Sequence, residues 1–203
     1  GVINQHGVAS NGFDVVSNQF SLHYFFKDIS ILNEFIRNVS ECCKVGGYFI
    51  GCCYDGKKIF NLLEKNKMED TVSIMSNDSS ILSIKKMYDD TEFNNDETSV
   101  GKRIDVLQES INKTFPEYLV NFDYFTNLIS NYGFEKLLEK ELVDIDLPSS
   151  VGSFSALYDK MKMDIKLKKI SKRNVGRALD MSSKEKTISF MNNYFIFKKV
   201  REI

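Results

Sequence analysis

The sequence predicts an α/β fold with a parallel β-sheet, and three neighbouring segments carry this prediction. Residues 13–20 read as a buried strand that turns polar at its carboxyl end, as a central parallel strand does. Residues 29–44 have apolar side chains at intervals of three and four, which predicts an amphipathic helix ended by Gly46 and Gly47. Residues 48–54 read as a second buried strand. This order and spacing indicate a βαβ crossover, which places both strands parallel in one sheet.

The rest of the chain shows further helix and strand patterns without a repeat or a linker. Helices are predicted at 57–67, at 121–132 and from Ser182 or Ser183 to Met191, and strands at 72–75, 81–87, 103–108 and 194–197. Residues 77–80 predict a turn, and the segment 134–142 fits a helix or a strand. We therefore expect residues 1–203 to form a single unit.

Composition describes a folded, soluble chain and says little about its partners. The 203 residues are 42% hydrophobic and 27% charged, and the net charge is −1, so global charge argues neither for nor against nucleic acid. No apolar run approaches the roughly 20 residues of a membrane span. No signal-peptide pattern is seen near the start, so we expect an intracellular protein without a membrane partner.

The cysteines argue against a metal site. They form two adjacent pairs, Cys42–Cys43 and Cys52–Cys53, without a C-x-x-C spacing, and the chain has two histidines. We expect no metal, and thiols that pack as small apolar side chains rather than disulfides.

A polar and aromatic cluster follows the first predicted strand. Phe20, His23 and Tyr24 lie where a parallel strand ends, which is where open α/β sheets bind ligands. Two aromatic rings and an imidazole suit stacking on a purine. The alternative is that the two rings plug the end of the sheet and that the histidine bonds to a loop.

Three motifs and their order closely resemble the mRNA cap guanine-N7 methyltransferases. Residues 13–24 read FDVVSNQFSLHY, residues 46–51 read GGYFIG, and residues 116–120 read PEYLV. The resemblance extends from Phe13 to about Phe134, and residues 54–57 and 105–112 are similar to the branch found in large DNA viruses, where this domain is the C-terminal part of a capping enzyme. It implies the host cytoplasm or the virion as the location.

The resemblance implies a partial class I, Rossmann-like sheet of the type that binds S-adenosylmethionine. The first predicted strand would be the fourth of that sheet. No glycine-rich cofactor turn is found in residues 1–11. We therefore expect either that the N-terminal strands and the glycine-rich loop belong to another segment or chain, or that cofactor binding has been lost.

Site residues follow from the same resemblance, position by position. It implies that Gln19, Ser21 and Tyr24 contact S-adenosylmethionine and that Phe20 and His23 line the pocket for the cap guanine. The remaining two implied guanine contacts are Glu117 and Tyr194. A carboxylate at Glu117 also makes independent sense, because it can accept from the N1 and N2 donors of guanine; the alternative is a solvated glutamate. Aligned without gaps, the family tyrosine on the last strand falls at Asn192, and we favour Tyr194 two residues later.

The implied reaction needs neither a general base nor a metal. Guanine N7 carries a lone pair and no proton, so the enzyme mainly aligns the reactants. Capped RNA, the N-terminal half of the methyltransferase domain and other capping-enzyme domains are the expected partners. The basic run 160–177, with strand-like alternation, is either a solvated face or an RNA contact.

Two other functions fit parts of the sequence. A non-catalytic, methyltransferase-like subunit that activates a partner chain is the first, but it does not explain why Gln19, His23 and Glu117 occur together. A small-molecule methyltransferase is the second, and it does not explain Glu117 in its motif.

Overall fold

The computed structural model describes residues 11–76, 79–108 and 112–203. Within these ranges lie nine strands: β1 (Phe13–Gln19), β2 (Cys43–Tyr54), β3 (Thr71–Ser76), β4 (Ser79–Lys86), β5 (Arg103–Gln108), β6 (Lys113–Tyr118), β7 (Phe134–Lys136), β8 (Val151–Ser153) and β9 (Asn192–Lys199). The same ranges hold seven α-helices: α1 (Leu22–Phe25), α2 (Ile29–Cys42), α3 (Gly56–Leu62), α4 (Phe122–Ser130), α5 (Glu139–Asp144), α6 (Phe154–Lys166) and α7 (Ser183–Ser189). Residues 1–10, and 77 and 78 of the predicted turn, lie outside the described residues.

The first sheet contains the predicted βαβ crossover. Its strand order is β1-β2-β9-β7, with β8 also paired to β9. β1 and β2 are parallel, which confirms the crossover, whereas β9 runs antiparallel to its neighbours. The Asp28 carboxylate accepts from the Ile31 amide at 2.9 Å and caps the start of α2. The result is a mixed sheet rather than the fully parallel one that the sequence predicts.

Two local expectations about this sheet are wrong. β1 was expected to be buried, yet Phe13 and Val15 are 47% and 49% exposed, because β2 is the neighbour of β1 on one side and no described strand lies on the other. Helix α2 ends at Cys42 rather than at the glycine pair, because β2 begins directly at Cys43. Gly46 lies inside β2 with φ +85°, a conformation that glycine adopts without strain.

A second sheet of four antiparallel strands, in the order β3-β4-β5-β6, stands beside the first. The sequence predicts β3, β4 and β5 but not β6. Pro116 obscures that strand, since proline cannot donate to a ladder, and β6 tolerates it as the edge strand of this sheet.

Two apolar cores hold the sheets and helices together. The first is rich in phenylalanine and packs α2 and α4 against β2 and β9. Gly51 permits that packing, because a Cβ there would lie 2.4 Å from the Phe195 ring and 2.1 Å from the Asn18 carbonyl oxygen. The second core lies between the four-stranded sheet and α3.

The C-terminal third departs most from the sequence pattern. Segment 134–142 contains both alternatives, β7 and then α5. The strand-like alternation of the basic run is misleading, because α6 covers its first part. There the Lys160 ammonium lies 2.5 Å from carboxylate oxygens of Asp146 and Asp164. Asp164 is one turn further along α6.

Two properties of the described chain bear on its chemistry. Its four cysteines are free thiols, as expected; three are buried and Cys42 is exposed. No helix in the described part has the length and apolar character needed to cross a bilayer.

Candidate functional site

The candidate site is a cavity of about 490 Å³ where the two sheets meet. It lies at the carboxyl end of β1, and α1, β6, α7 and the start of β9 form its other walls. We call it the interface cavity. Its lining residues are Phe20, His23, Tyr24, Tyr54, Val106, Phe115, Glu117, Ile188 and Asn192.

Phe20 is held in an unusual backbone conformation at the rim of this cavity. Its φ is +50°, although left-handed backbone is rare for a side chain of this size. The Phe20 amide donates to the Cys52 carbonyl oxygen at 2.7 Å, which fixes the turn after β1. The ring is 55% exposed and its edge meets the Phe154 ring. A strained backbone that presents an exposed aromatic face is typical of a binding site.

His23 and Glu117 face each other on opposite walls. His23 comes from α1 and Glu117 from β6, they are 5% and 7% exposed, and the His23 Nε2 atom lies 3.8 Å from Glu117 Oε2. Burial lowers the pKa of His23 to about 4 and raises the pKa of Glu117 to about 7. Both shifts favour the neutral forms. Between about pH 4 and pH 7 the imidazole and the carboxylic acid are therefore both uncharged, and they do not form an ion pair.

Several polar atoms of the cavity have no partner among the described residues. Both ring nitrogens of His23, Glu117 Oε2 and Asn192 Oδ1 are buried without a hydrogen bond. Leaving such atoms unpaired costs stability, so they point to a ligand that supplies the partners. Aromatic faces beside inward-facing acceptors suit a flat heterocycle that carries N–H groups.

Of the two residues considered on the last strand, Asn192 lines the interface cavity. Tyr194 instead lines a second cavity, together with Gln19 and Phe154 among others. Its hydroxyl donates to the Ser149 carbonyl oxygen at 3.0 Å, and Gly152 leaves the space that the hydroxyl occupies. The choice of Tyr194 for the cap pocket therefore disagrees with its position.

The three predicted cofactor contacts do not share one cavity. Tyr24 lines the interface cavity and is 45% exposed, and Ser21 precedes α1 without making a capping hydrogen bond. Gln19 lines the second cavity, where its amide donates to Ser17 Oγ and accepts from the Cys52 thiol, both at 3.0 Å. The polar groups of Ser21 and Tyr24 fit a role in ligand binding, whereas the Gln19 amide would have to exchange partners.

The sequence interpretation missed part of the cavity wall. Val106, Phe115 and Ile188 are apolar lining residues from three different elements. Phe115 had a usable signal, because it stands two positions from Glu117 and so shares its face of a strand. The described residues hold no cluster of three or more His, Cys, Asp or Glu side chains that a metal ion would need.

Comparisons with known proteins identify the family to which the chain is similar. Residues 3–200 match the family model of the mRNA (guanine-N(7))-methyltransferase domain. The chain is similar to the mRNA cap guanine-N(7) methyltransferases of Eremothecium gossypii (28% identity over 93% of this chain and 43% of the relative) and Candida glabrata (29% over 93% and 44%). It is also 25% identical to a probable mRNA-capping enzyme of Acanthamoeba polyphaga mimivirus, over 100% of this chain and 18% of that protein.

Solved methyltransferases resemble the structure more distantly. One from Streptomyces caelestis has a TM-score of 0.49 at 10% identity, over 95% of this chain and 63% of the other. An S-adenosylmethionine-dependent methyltransferase from Clostridium acetobutylicum has a TM-score of 0.46 at 12% identity, over 93% and 58%.

The family match covers nearly the whole chain, and the motifs at residues 13–24, 46–51 and 116–120 build the interface cavity and the strands behind it. The chain spans less than half of the length of the curated relatives that it matches. Its architecture is α/β with a mixed sheet, and the chain belongs to the mRNA (guanine-N(7))-methyltransferase family.

Proposed function

We propose that this chain forms the cap-binding part of an enzyme that methylates N7 of the mRNA cap guanine. One observation carries the proposal: His23 and Glu117 face each other with both histidine ring nitrogens and Glu117 Oε2 buried and without hydrogen bonds to described residues, beside the exposed ring of Phe20. Few ligands match this combination as well as guanine, which has a flat face, two kinds of N–H donor and one carbonyl acceptor.

Each of the three residues has a distinct task in this proposal. The Glu117 carboxylate accepts from N1–H and N2–H of guanine, and it is favoured further once N7 methylation makes the base cationic. The neutral His23 imidazole has one N–H, which can donate to guanine O6. Phe20 supplies a stacking face. Together they hold the base in one orientation, with N7 presented to the methyl donor.

Catalysis by these residues is a matter of alignment. Guanine N7 needs no deprotonation, so no residue has to act as a general base. When bound, S-adenosylmethionine supplies an activated methyl group on sulfur. On this chain Ser21 and Tyr24, with Gln19 after a change of partners, would hold it at the end of β1. Holding two reactants at a reactive distance and angle can lower a reaction barrier by several kcal/mol.

The exposed edge of β1 supports a further part of the proposal. A strand edge with half-exposed apolar side chains favours pairing with another strand. We propose that the N-terminal half of a methyltransferase domain pairs there, with other capping-enzyme domains and capped RNA as further partners. The similarity to a mimivirus capping enzyme supports a viral protein that acts in the host cytoplasm or the virion.

Binding of capped dinucleotides tests the proposal directly. Calorimetry would compare a guanosine cap with the same dinucleotide in which adenosine replaces the cap guanosine. We expect the guanosine cap to bind at least about tenfold more tightly, because adenine lacks the N1–H and N2–H donors. Glu117→Gln should weaken guanosine cap binding by roughly 1.5 to 3 kcal/mol, and Phe20→Ala by roughly 1 to 3 kcal/mol.

Glu135→Gln is the matched control, since Glu135 is an exposed glutamate on β7. It should bind like the unchanged chain. Equal affinity for the guanosine and adenosine caps, or an unchanged affinity in Glu117→Gln, would remove the support for a guanine site and favour a non-catalytic role.

A further inference from the structure

Asn192 is a polar residue of the interface cavity that lies outside the three sequence motifs. It begins β9, is 5% exposed and lies opposite Tyr54 in the β2–β9 ladder. Both residues line the cavity. A buried amide in such a wall needs partners for its donors and for its acceptor.

The donors of Asn192 are already used. Its Nδ2 group donates to the Ile188 carbonyl oxygen at 3.2 Å and to the Ser189 carbonyl oxygen at 3.1 Å, at the end of α7. These two bonds fix the orientation of the amide, because a flipped amide would set its oxygen against two carbonyl oxygens. Asn192 Oδ1 is then left buried without a partner among the described residues.

A ligand in this cavity must therefore offer a donor to Asn192. This inference rests on the proposed function, in which the ligand is guanine. A count of the hydrogen bonds that guanine can form then identifies the donor. Guanine has three N–H hydrogens on this edge, one on N1 and two on N2. The Glu117 carboxylate can accept N1–H and one N2 hydrogen, so the second N2 hydrogen would enter the cavity without an acceptor.

We propose that Asn192 is a specificity-determining residue whose Oδ1 accepts the second N2 hydrogen of the cap guanine. Both amine hydrogens are then held, one by Glu117 and one by Asn192. Such a site rejects purines without the amine, and it also rejects a guanine whose N2 carries a methyl group.

A ligand series on the unchanged chain provides the first test. Calorimetry would compare capped dinucleotides that contain guanosine, N2-methylguanosine or inosine. If Glu117 alone held N2, the methyl group would rotate to the free side and the affinity would stay within about twofold. If both hydrogens are held, we expect N2-methylation to weaken binding by about tenfold, as expected for one lost bond to a buried acceptor.

Two variants provide the second test. Asn192→Leu keeps a side chain of similar size but removes the acceptor. If the methyl group is rejected by steric overlap, the variant will still reject it. If the rejection depends on the hydrogen bond, the variant will lose it. We expect its ratio of guanosine to N2-methylguanosine affinity to fall to about one. Asn193→Leu is the control, because Asn193 bonds to Asp55 and Lys58 instead and does not line the interface cavity; its ratio should match that of the unchanged chain.

The outcomes separate this inference from the proposed function. If the unchanged chain binds the guanosine cap but binds the N2-methylated cap equally well, the assignment of Asn192 is overturned and the guanine site stands. The same holds if Asn192→Leu retains the tenfold ratio. If the unchanged chain binds no guanosine cap, the proposed function fails and this assignment fails with it. The ligand series decides the matter even if Asn192→Leu does not fold.

Discussion

At the scale of single residues, the interface cavity is built from groups that the fold does not satisfy. Both ring nitrogens of His23 and the Oε2 atom of Glu117 are buried without hydrogen bonds within the described part of the chain, and burial drives both groups toward their neutral forms. Phe20 adds a strained backbone and an exposed ring. None of these features stabilises the chain by itself, which is typical of residues placed for a ligand.

Cap affinity should depend on pH through Glu117. Its pKa is about 7, and the carboxylate rather than the acid accepts both guanine donors, so affinity should rise about tenfold between pH 6 and pH 8. His23 stays neutral over this range because its pKa is about 4. Calorimetry at several pH values checks this, with Glu117→Gln expected to give a flat profile and Glu135→Gln the full rise. A flat profile for the unchanged chain would contradict the prediction.

Stability should show the opposite dependence on pH. The native pKa of Glu117 lies above its ordinary value of 4.5, so between pH 4.5 and about 7 the native state binds more protons than the unfolded state. Stability contributed by the protonated acid is therefore lost as the pH rises through this window. Glu117→Gln should match the unchanged chain near pH 4.5 and exceed its free energy of unfolding by roughly 1 to 3 kcal/mol at pH 8.

Urea denaturation at both pH values measures this difference. Subtracting the two proteins removes the contributions of other titrating groups, including His23. A variant that is less stable than the unchanged chain at pH 8 would show that Glu117 is stabilised by contacts rather than strained by burial.

At the scale of elements, the Asn121 side chain joins the loop at residues 94–95 to the start of α4. The Asn121 side chain accepts from the amides of Asp123 and Tyr124, both at 3.1 Å, and so caps α4. Its Nδ2 group donates to the Asn94 carbonyl oxygen at 2.8 Å and to Asn95 Oδ1 at 3.2 Å. One buried amide therefore connects the loop at residues 94–95 to α4, the helix that follows β6.

Asn121→Ala should lower the free energy of unfolding by about 1 to 3 kcal/mol, because it removes an N-cap and leaves buried groups unpaired. Chemical denaturation monitored by circular dichroism measures the change. Asn127→Ala is the control, since Asn127 is exposed on the same helix, and it should change stability by less than about 0.5 kcal/mol. Equal effects of the two substitutions would show that the connection does not stabilise the fold.

At the scale of the whole molecule, the two sheets complete one binding site and leave another open. The walls of the interface cavity come from both sheets, so residues of this chain form the whole lining of the proposed guanine site. The residues proposed to bind the cofactor follow β1, which is the edge strand of the first sheet. β2 is the neighbour of β1 on one side, and no described strand lies on the other.

We therefore expect the 203-residue chain to bind S-adenosylmethionine weakly, no tighter than about 1 mM. A ligand held on one side buries too little surface to overcome the cost of association. Calorimetry with the chain alone measures this, with the capped dinucleotide as a positive control for a folded sample. Micromolar binding of S-adenosylmethionine would show that the open side of β1 is not needed.

The sequence by itself determined most local elements and marked several residues of the candidate site, for physical reasons that are local. The periodicity of 29–44 and the apolar run of 48–54 were enough to predict α2, β2 and their crossover, because hydrophobic pattern and chain spacing act over short distances. The aromatic and polar residues at 19–24 and the Glu117 motif similarly predicted which side chains would line a ligand site. Strand β6, interrupted by Pro116, was not predicted, because its pairing with β5 rather than its own propensity stabilises it.

Only the tertiary structure decided which of these residues meet. The sequence spacing of Asn192 and Tyr194 cannot distinguish them, since both point to one face of β9. The hydroxyl of Tyr194 donates to the Ser149 carbonyl oxygen beside the second cavity. The Asn192 amide donates to carbonyl oxygens at the end of α7, which leaves its own oxygen in the interface cavity without a partner among the described residues. The shifted pKa values of His23 and Glu117 arise in the same way, because burial by strands distant in sequence sets them.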